Sequence, residues 1–138
     1  MRVLILNGPN LNWLGRREPD IYGKKSMEDY LDELECLFPD VELIYKQSNM
    51  EGELINIMQQ ADEDEINGIV LNAGAYTHTS VALHDCIKSL SAPVIEVHIS
   101  NVHTREEFRR HSMISPACQG VICGFGLRSY ELAIRALL

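Results

Sequence analysis

Val94-Ile95-Glu96-Val97-His98-Ile99-Ser100-Asn101 is the stretch on which the reading of the fold turns. Pro93 introduces a β-branched run that reads as a short strand buried on both faces. Such a strand carries Glu96 and His98 only if each has a partner, because an unpaired buried charge is costly. Polar, short Ser100 and Asn101 follow, where a strand gives way to a loop. Ligands in open α/β sheets bind at the carboxyl ends of the strands. Two readings are therefore open: a histidine aimed at a ligand and oriented by a carboxylate, or a core histidine bonded to Glu96.

On either side of this stretch the chain alternates strand and helix without a linker or repeat. Residues 2–6 form a first strand, and residues 7–23 a long Gly/Pro/Asn-rich loop whose length suits a functional lid. Ser26 can cap a helix whose apolar positions Met27, Tyr30, Leu31, Leu34, Leu37 and Phe38 recur at helical spacing. Residues 41–45 are a second strand, followed by polar Gln47-Ser48-Asn49; Leu54, Ile55, Met58 and Ala61 mark a second helix, and residues 62–65 a solvated turn. Residues 68–71 are a third strand, residues 80–90 a third helix capped by Thr79 or Ser80, and the opening strand comes next. Thr104 and Glu107 form a capping-box pattern for a short basic helix. Residues 121–123 are a fifth strand, and Tyr130, Ala133, Ile134 and Leu137 the face of a last helix.

Five strands with intervening helices predict a doubly wound parallel sheet, since parallel crossovers are right-handed and need helices. The expectation is a single α/β domain over residues 1–138, flavodoxin-like, with strand order 2-1-3-4-5. Its switch point brings the loops after Leu6, Leu71 and His98 to one edge.

The totals bound the function. A chain of 138 residues buries roughly two thirds of its unfolded surface in one core. With 46% hydrophobic and 23% charged residues it has the composition of a soluble protein. No apolar run spans a bilayer, and the first residues enter a strand directly instead of showing a signal layout. Cys36, Cys86, Cys118 and Cys123 form neither a CxxC pair nor a zinc-type cluster, so four reduced thiols in the cytoplasm are expected. A net charge of −8 argues against nucleic acid or an anionic membrane as partner. An anionic substrate must then be drawn by a local group of arginines.

The loops hold the chemistry. Three asparagines in Asn7-Gly8-Pro9-Asn10-Leu11-Asn12 can hold a water or a hydroxyl, or simply make a turn. In Arg16-Arg17-Glu18-Pro19-Asp20-Ile21-Tyr22-Gly23, a tyrosine beside arginines can act as a base. Lowering a phenol pKa by roughly 2 to 3 units takes about 3 to 4 kcal/mol of differential interaction, which close arginines can supply. A solvated surface turn is the alternative. Small and polar residues 72–80 at a helix start suit an oxygen-rich ligand. Arg105 and Arg109 share a helical face at i,i+4 spacing, with one reaching the site. Gly124 and Gly126 resemble a phosphate loop only loosely, since close strand–helix packing explains them equally well.

Five blocks occur in order: Asn7-Gly8-Pro9-Asn10-Leu11-Asn12, Arg17-Glu18-Pro19 with Tyr22-Gly23, Gln47-Ser48-Asn49 with Glu51-Gly52, the segment from Asn72 to Ser80, and Glu96-Val97-His98-Ile99-Ser100-Asn101. Together they resemble the type II 3-dehydroquinate dehydratase family from end to end. Trp13 stands where the family usually has an aliphatic residue, and Asn56 where an Asp is common. The resemblance implies dehydration of 3-dehydroquinate to 3-dehydroshikimate by anti elimination through an enolate, with no metal and no cofactor. It assigns Tyr22 as the phenolate base and Arg17 as its stabiliser. Asn10 would hold a water at the enolate oxygen, and His98, set by Glu96, would be the acid. Ile99 and Ser100 would bind the substrate carboxylate, and Asn72, His78 and Arg109 its hydroxyls and ring. Asp85 would act from a neighbouring subunit of a trimer, four trimers making a homododecamer.

Two rivals share the fold class. A flavodoxin-like redox carrier needs a Ser/Thr-rich phosphate loop after the first strand, and Gly8 to Gly15 is not one. A phospho-acceptor domain needs an acidic pocket, whereas the first and third strands end in Asn7 and Asn72.

Overall fold

Successive side chains of a strand point to opposite faces of the sheet, and the continuous apolar runs at residues 3–6 and 69–71 are buried on both. The computed structural model describes residues 1–16, 20 and 25–138. Strands β1 (Arg2–Asn7), β2 (Glu42–Gln47), β3 (Gly68–Asn72), β4 (Val94–His98) and β5 (Gly120–Cys123) form one parallel sheet in the order β2-β1-β3-β4-β5, as the sequence predicts. Helices α1 (Met27–Leu37) and α4 (Arg128–Leu137) cover the face of Val3, Ile5, Val70, Ile95 and Val97. Helices α2 (Glu51–Glu63) and α3 (Val81–Ser89) cover the face of Leu4, Leu6, Ile69, Leu71 and Val94. Glu96 and His98 share the parity of Val94 and so lie on the second face.

Capping follows the sequence. The Ser26 hydroxyl accepts the Asp29 N–H at 3.2 Å, and the Ser80 hydroxyl accepts that of Leu83 at 2.9 Å. Strand β2 continues past Tyr45 because Lys46 and Gln47 pair in register with Leu6 and Asn7. That register also sets Asn7 beside Asn72, so three strands end together at the switch point. Glu63, Asp64 and Glu65 are exposed, as a solvated turn requires, while Asp62 in the last turn of α2 is half-buried and its carboxylate accepts the N–H groups of Ser91 and Ala92.

One local expectation fails. Residues after Asn101 make two three-residue-per-turn segments, Val102–Thr104 and Glu107–Arg110, instead of one capped helix. Arg105 and Glu106 between them are extended, and the Thr104 hydroxyl donates to the Asn101 carbonyl instead of capping. A local side-chain bond to the backbone competed with the helix and won. The Gly124 and Gly126 N–H groups donate to the carbonyls of His98 and Ile99, so this loop buttresses the end of β4 and is not a phosphate cradle. Both glycines have positive φ, and a Cβ on Gly124 would press against Asn101 at 3.2 Å. No helix among the described residues is long and apolar enough to cross a membrane.

Candidate active site

The loops leaving β1, β3 and β4 enclose a cavity of about 140 Å³ at the carboxyl edge of the sheet. Asn10 and Leu11 come from the first loop, Asn72, Gly74 and His78 from the second, and His98, Ile99 and Ser100 from the third. Arg105 and Arg109 complete the wall. An acidic protein thus places two guanidinium groups at one small cavity, as an anionic ligand requires. Their spacing on a helix is not the cause, since the segment is not helical.

Glu96 is 1% exposed and lies behind His98. His98 Nε2 stands 2.5 Å from Glu96 Oε2, while Ser112 and Ser115 donate to Glu96 Oε1 at 3.1 and 2.6 Å. Burial pushes the Glu96 pKa up, but the hydrogen bonds from His98 and Ser115, the His98 charge and the Ser112 bond outweigh it. The carboxyl therefore stays below the ordinary carboxylate range. An ionised carboxylate only accepts, so Nε2 carries the hydrogen and Nδ1 is the remaining ring nitrogen. Both features that the sequence left open are present: His98 is buried and bonded to Glu96, and its ring also lines the cavity.

His78 stacks beside it, with ring centroids 6.3 Å apart, and its Nδ1 lies 2.8 Å from the His111 carbonyl. Burial holds its pKa below the ordinary histidine range, the His111 carbonyl opposing and His98 and Arg109 assisting. A neutral ring donating from Nδ1 presents Nε2 as an acceptor. Arg109 is oriented by Glu106, Nε to Oε2 at 2.7 Å, and lies over the Phe108 ring at 4.9 Å.

Asn10 adopts the left-handed conformation at φ 69°. Its N–H donates to Asn49 Oδ1 at 2.9 Å, and Gln47 Nε2 donates both to that oxygen and to the Gly8 carbonyl, each at 3.1 Å. Gly8 passes so close to the next loop that a Cβ there would lie 2.6 Å from the Ala73 carbonyl oxygen. Asn72 is held from beneath: its Nδ2 donates to the buried Tyr130 hydroxyl at 2.9 Å, and that hydroxyl donates to Asn7 Oδ1 at 2.7 Å.

Eight of the residues singled out in the sequence thus meet at the cavity: Asn10, Asn72, His78, His98, Ile99, Ser100, Arg105 and Arg109, both arginines reaching it where one was expected. Glu96 stands directly behind. Asp85 is on α3, exposed and next to His84, and does not line the cavity of its own chain. Tyr22 and Arg17 lie outside the described residues. Sequence reasoning missed Ser112, Ser115 and Tyr130 as partners of the site. Their types are unremarkable and their spacing from Glu96 and Asn72 carries no signal.

The family profile described as "Dehydroquinase class II" matches residues 1–138. The 3-dehydroquinate dehydratase of an Exiguobacterium species is 58% identical to this chain, covering 100% of it and 94% of the relative. Among solved structures, the type II dehydroquinase from Butyrivibrio crossotus superposes with a TM-score of 0.95 at 46% identity, covering 99% of this chain and 97% of its own. That from Propionibacterium acnes gives 0.93 at 41% identity, over 99% and 94%.

Proposed function

The chain belongs to the class II dehydroquinase family, and from that premise we propose that it dehydrates 3-dehydroquinate to 3-dehydroshikimate. The observation that carries the mechanism is the 2.5 Å contact of His98 with ionised, buried Glu96 at the wall of a cavity lined by arginines. Tyr22 as phenolate removes a proton from the carbon next to the ketone, and Arg17 keeps that phenolate ionised. The electrons move onto the ketone oxygen, where a water held by Asn10 donates to the enolate. Collapse of the enolate expels the hydroxyl on the opposite face, and His98 gives it a proton so that it leaves as water. One proton is then on Tyr22 and one is missing from His98; its return from one to the other through solvent resets the site.

Binding follows the same geometry. Ile99 and Ser100 at the end of β4 take the carboxylate, with Arg105 close by. Asn72, His78 and Arg109 take the hydroxyls and the ring, neutral His78 accepting. Asp85, exposed on its own chain, serves a neighbour's cavity in a trimer, and four trimers build the homododecamer. Residues 1–138 act as one catalytic domain, and four free thiols fit the reducing cytoplasm.

Addition of 3-dehydroquinate tests the reaction. The product is a conjugated enone and absorbs in the ultraviolet, so absorbance must rise with time in proportion to enzyme. Binding of the compound without that rise would make the protein a binding module instead.

A further inference from the structure

Residues 111–115 are tied to both histidines of the site. The His111 carbonyl meets His78 Nδ1, the Met113 N–H donates to the Thr77 carbonyl at 2.8 Å, and Ile114 is fully buried in the core on the α2–α3 face of the sheet. Two serines of this strap face Glu96. The Ser112 hydroxyl oxygen accepts the N–H groups of Ile114 and Ser115, at 3.3 and 3.0 Å, so its lone pairs are used and its hydrogen points to Glu96 Oε1. Ser115 donates to the same oxygen. The carboxylate is thereby divided: Oε1 takes two neutral donors and Oε2 takes His98.

We infer that Ser112 and Ser115 are positioning residues that set the proton affinity of the Glu96–His98 pair, and with it the pH range in which His98 can act. The acid role of His98 comes from the function proposed above; the control of its proton does not. Neutral donors on Oε1 draw negative charge away from Oε2 and weaken its hold on the His98 proton. Without them the charge concentrates on Oε2. The state that suffers most is the deprotonated pair, an ionised Glu96 beside a neutral His98. Its apparent pKa therefore rises, whichever partner is assigned the proton.

Among the described residues, the other groups facing the pair do not titrate with it. Cys118 feels the Glu96 charge, but burial chiefly, with that charge, pushes its thiol up to about 12, so it stays neutral. His78 faces the His98 ring and is held neutral, chiefly by burial. Arg105 and Arg109 line the same cavity.

The test uses the intact protein with Ser112→Ala, Ser115→Ala, the double change and Ser115→Thr. The His98 imidazole is titrated by nuclear magnetic resonance on nitrogen-labelled histidine, with His98→Gln to assign it. In parallel, kcat/KM for 3-dehydroquinate is followed against pH. Each lost hydroxyl should raise the His98 titration by roughly half a unit to one unit, and the alkaline limb of kcat/KM should move with it. Ser115→Thr, which keeps the donor, should restore both. A folded double variant with an unmoved His98 titration overturns the inference. A titration that moves while the kinetic limb stays in place upholds it and removes His98 from the acid role. If the alanine variants do not fold, Ser115→Cys, a weaker donor of nearly the same shape, must also move the titration upward; no movement there overturns the inference as well.

Discussion

Asn49 holds Asn10 in a left-handed backbone conformation: the Asn10 N–H donates to Asn49 Oδ1 across 2.9 Å while Asn10 sits at φ 69°. Asn49 lies outside the cavity and is itself fixed by Gln47 and by the Tyr76 hydroxyl, which donates to its carbonyl at 2.8 Å. The loop after β2 thus aims a residue of the loop after β1.

Asn49→Ala should lower turnover by about tenfold to a hundredfold, the cost of displacing a positioned group by a fraction of an ångström or more. Asn49→Asp keeps the acceptor oxygen and should recover most of the loss. Steady-state kinetics on both variants decide the matter, and equal rates for Asn49→Ala and the unchanged protein would show that Asn10 needs no brace.

Tyr22→Phe removes the proposed base and keeps the ring. Turnover should fall by several orders of magnitude while product binding survives within about tenfold. Arg17→Ala should also be severe and be partly recovered at high pH, where more phenolate forms. The two changes combined should cost little more than Tyr22→Phe alone, because both act on one step. Fully multiplicative losses would mean that the residues work independently.

Acid should destabilise the fold in two stages. The His78 pKa is lower in the folded protein, chiefly through burial, so the unfolded chain binds the proton first as pH falls through the ordinary histidine range. The Glu96 pKa is also lower when folded, the bonds from His98, Ser115 and Ser112 overcoming burial. Its contribution is complete above the ordinary carboxylate range and is lost as pH drops through that range toward the depressed value. Urea midpoints measured against pH at fixed protein concentration should show both falls. In Glu96→Gln the second should flatten, and an undiminished second fall would assign it to other carboxyls.

Tyr130→Phe should destabilise the protein by about 2 to 4 kcal/mol, because the deleted hydroxyl leaves Asn7 Oδ1 and Asn72 Nδ2 buried without their partner. Thermal unfolding at one protein concentration measures this. A loss under 0.5 kcal/mol, in the sense of roughly a neutral surface change, would mean that water replaces the hydroxyl.

The β/α alternation, the strand order and the Glu96–His98 pair were legible in the amino-acid sequence. Periodicity is a local property: alternate residues of a strand share a face, so Glu96 and His98 at i,i+2 had to lie together. Short β-branched runs between helical segments leave few topologies once crossovers are right-handed. Helical spacing does not bring the arginines together: Arg105 and Arg109 reach the cavity from an extended residue and a tight turn, not from a helix face. Only the tertiary structure joined Ser112 and Ser115 to Glu96, Asn49 to Asn10, and Tyr130 to Asn7 and Asn72. Each of these bonds links segments well apart in the chain, up to 123 residues in the case of Tyr130 and Asn7. A hydroxyl or amide has no long-range pattern of its own. Its partner is decided by strand register and by how the loops pack at the carboxyl edge, where a buried polar group must find a bond or lose its place.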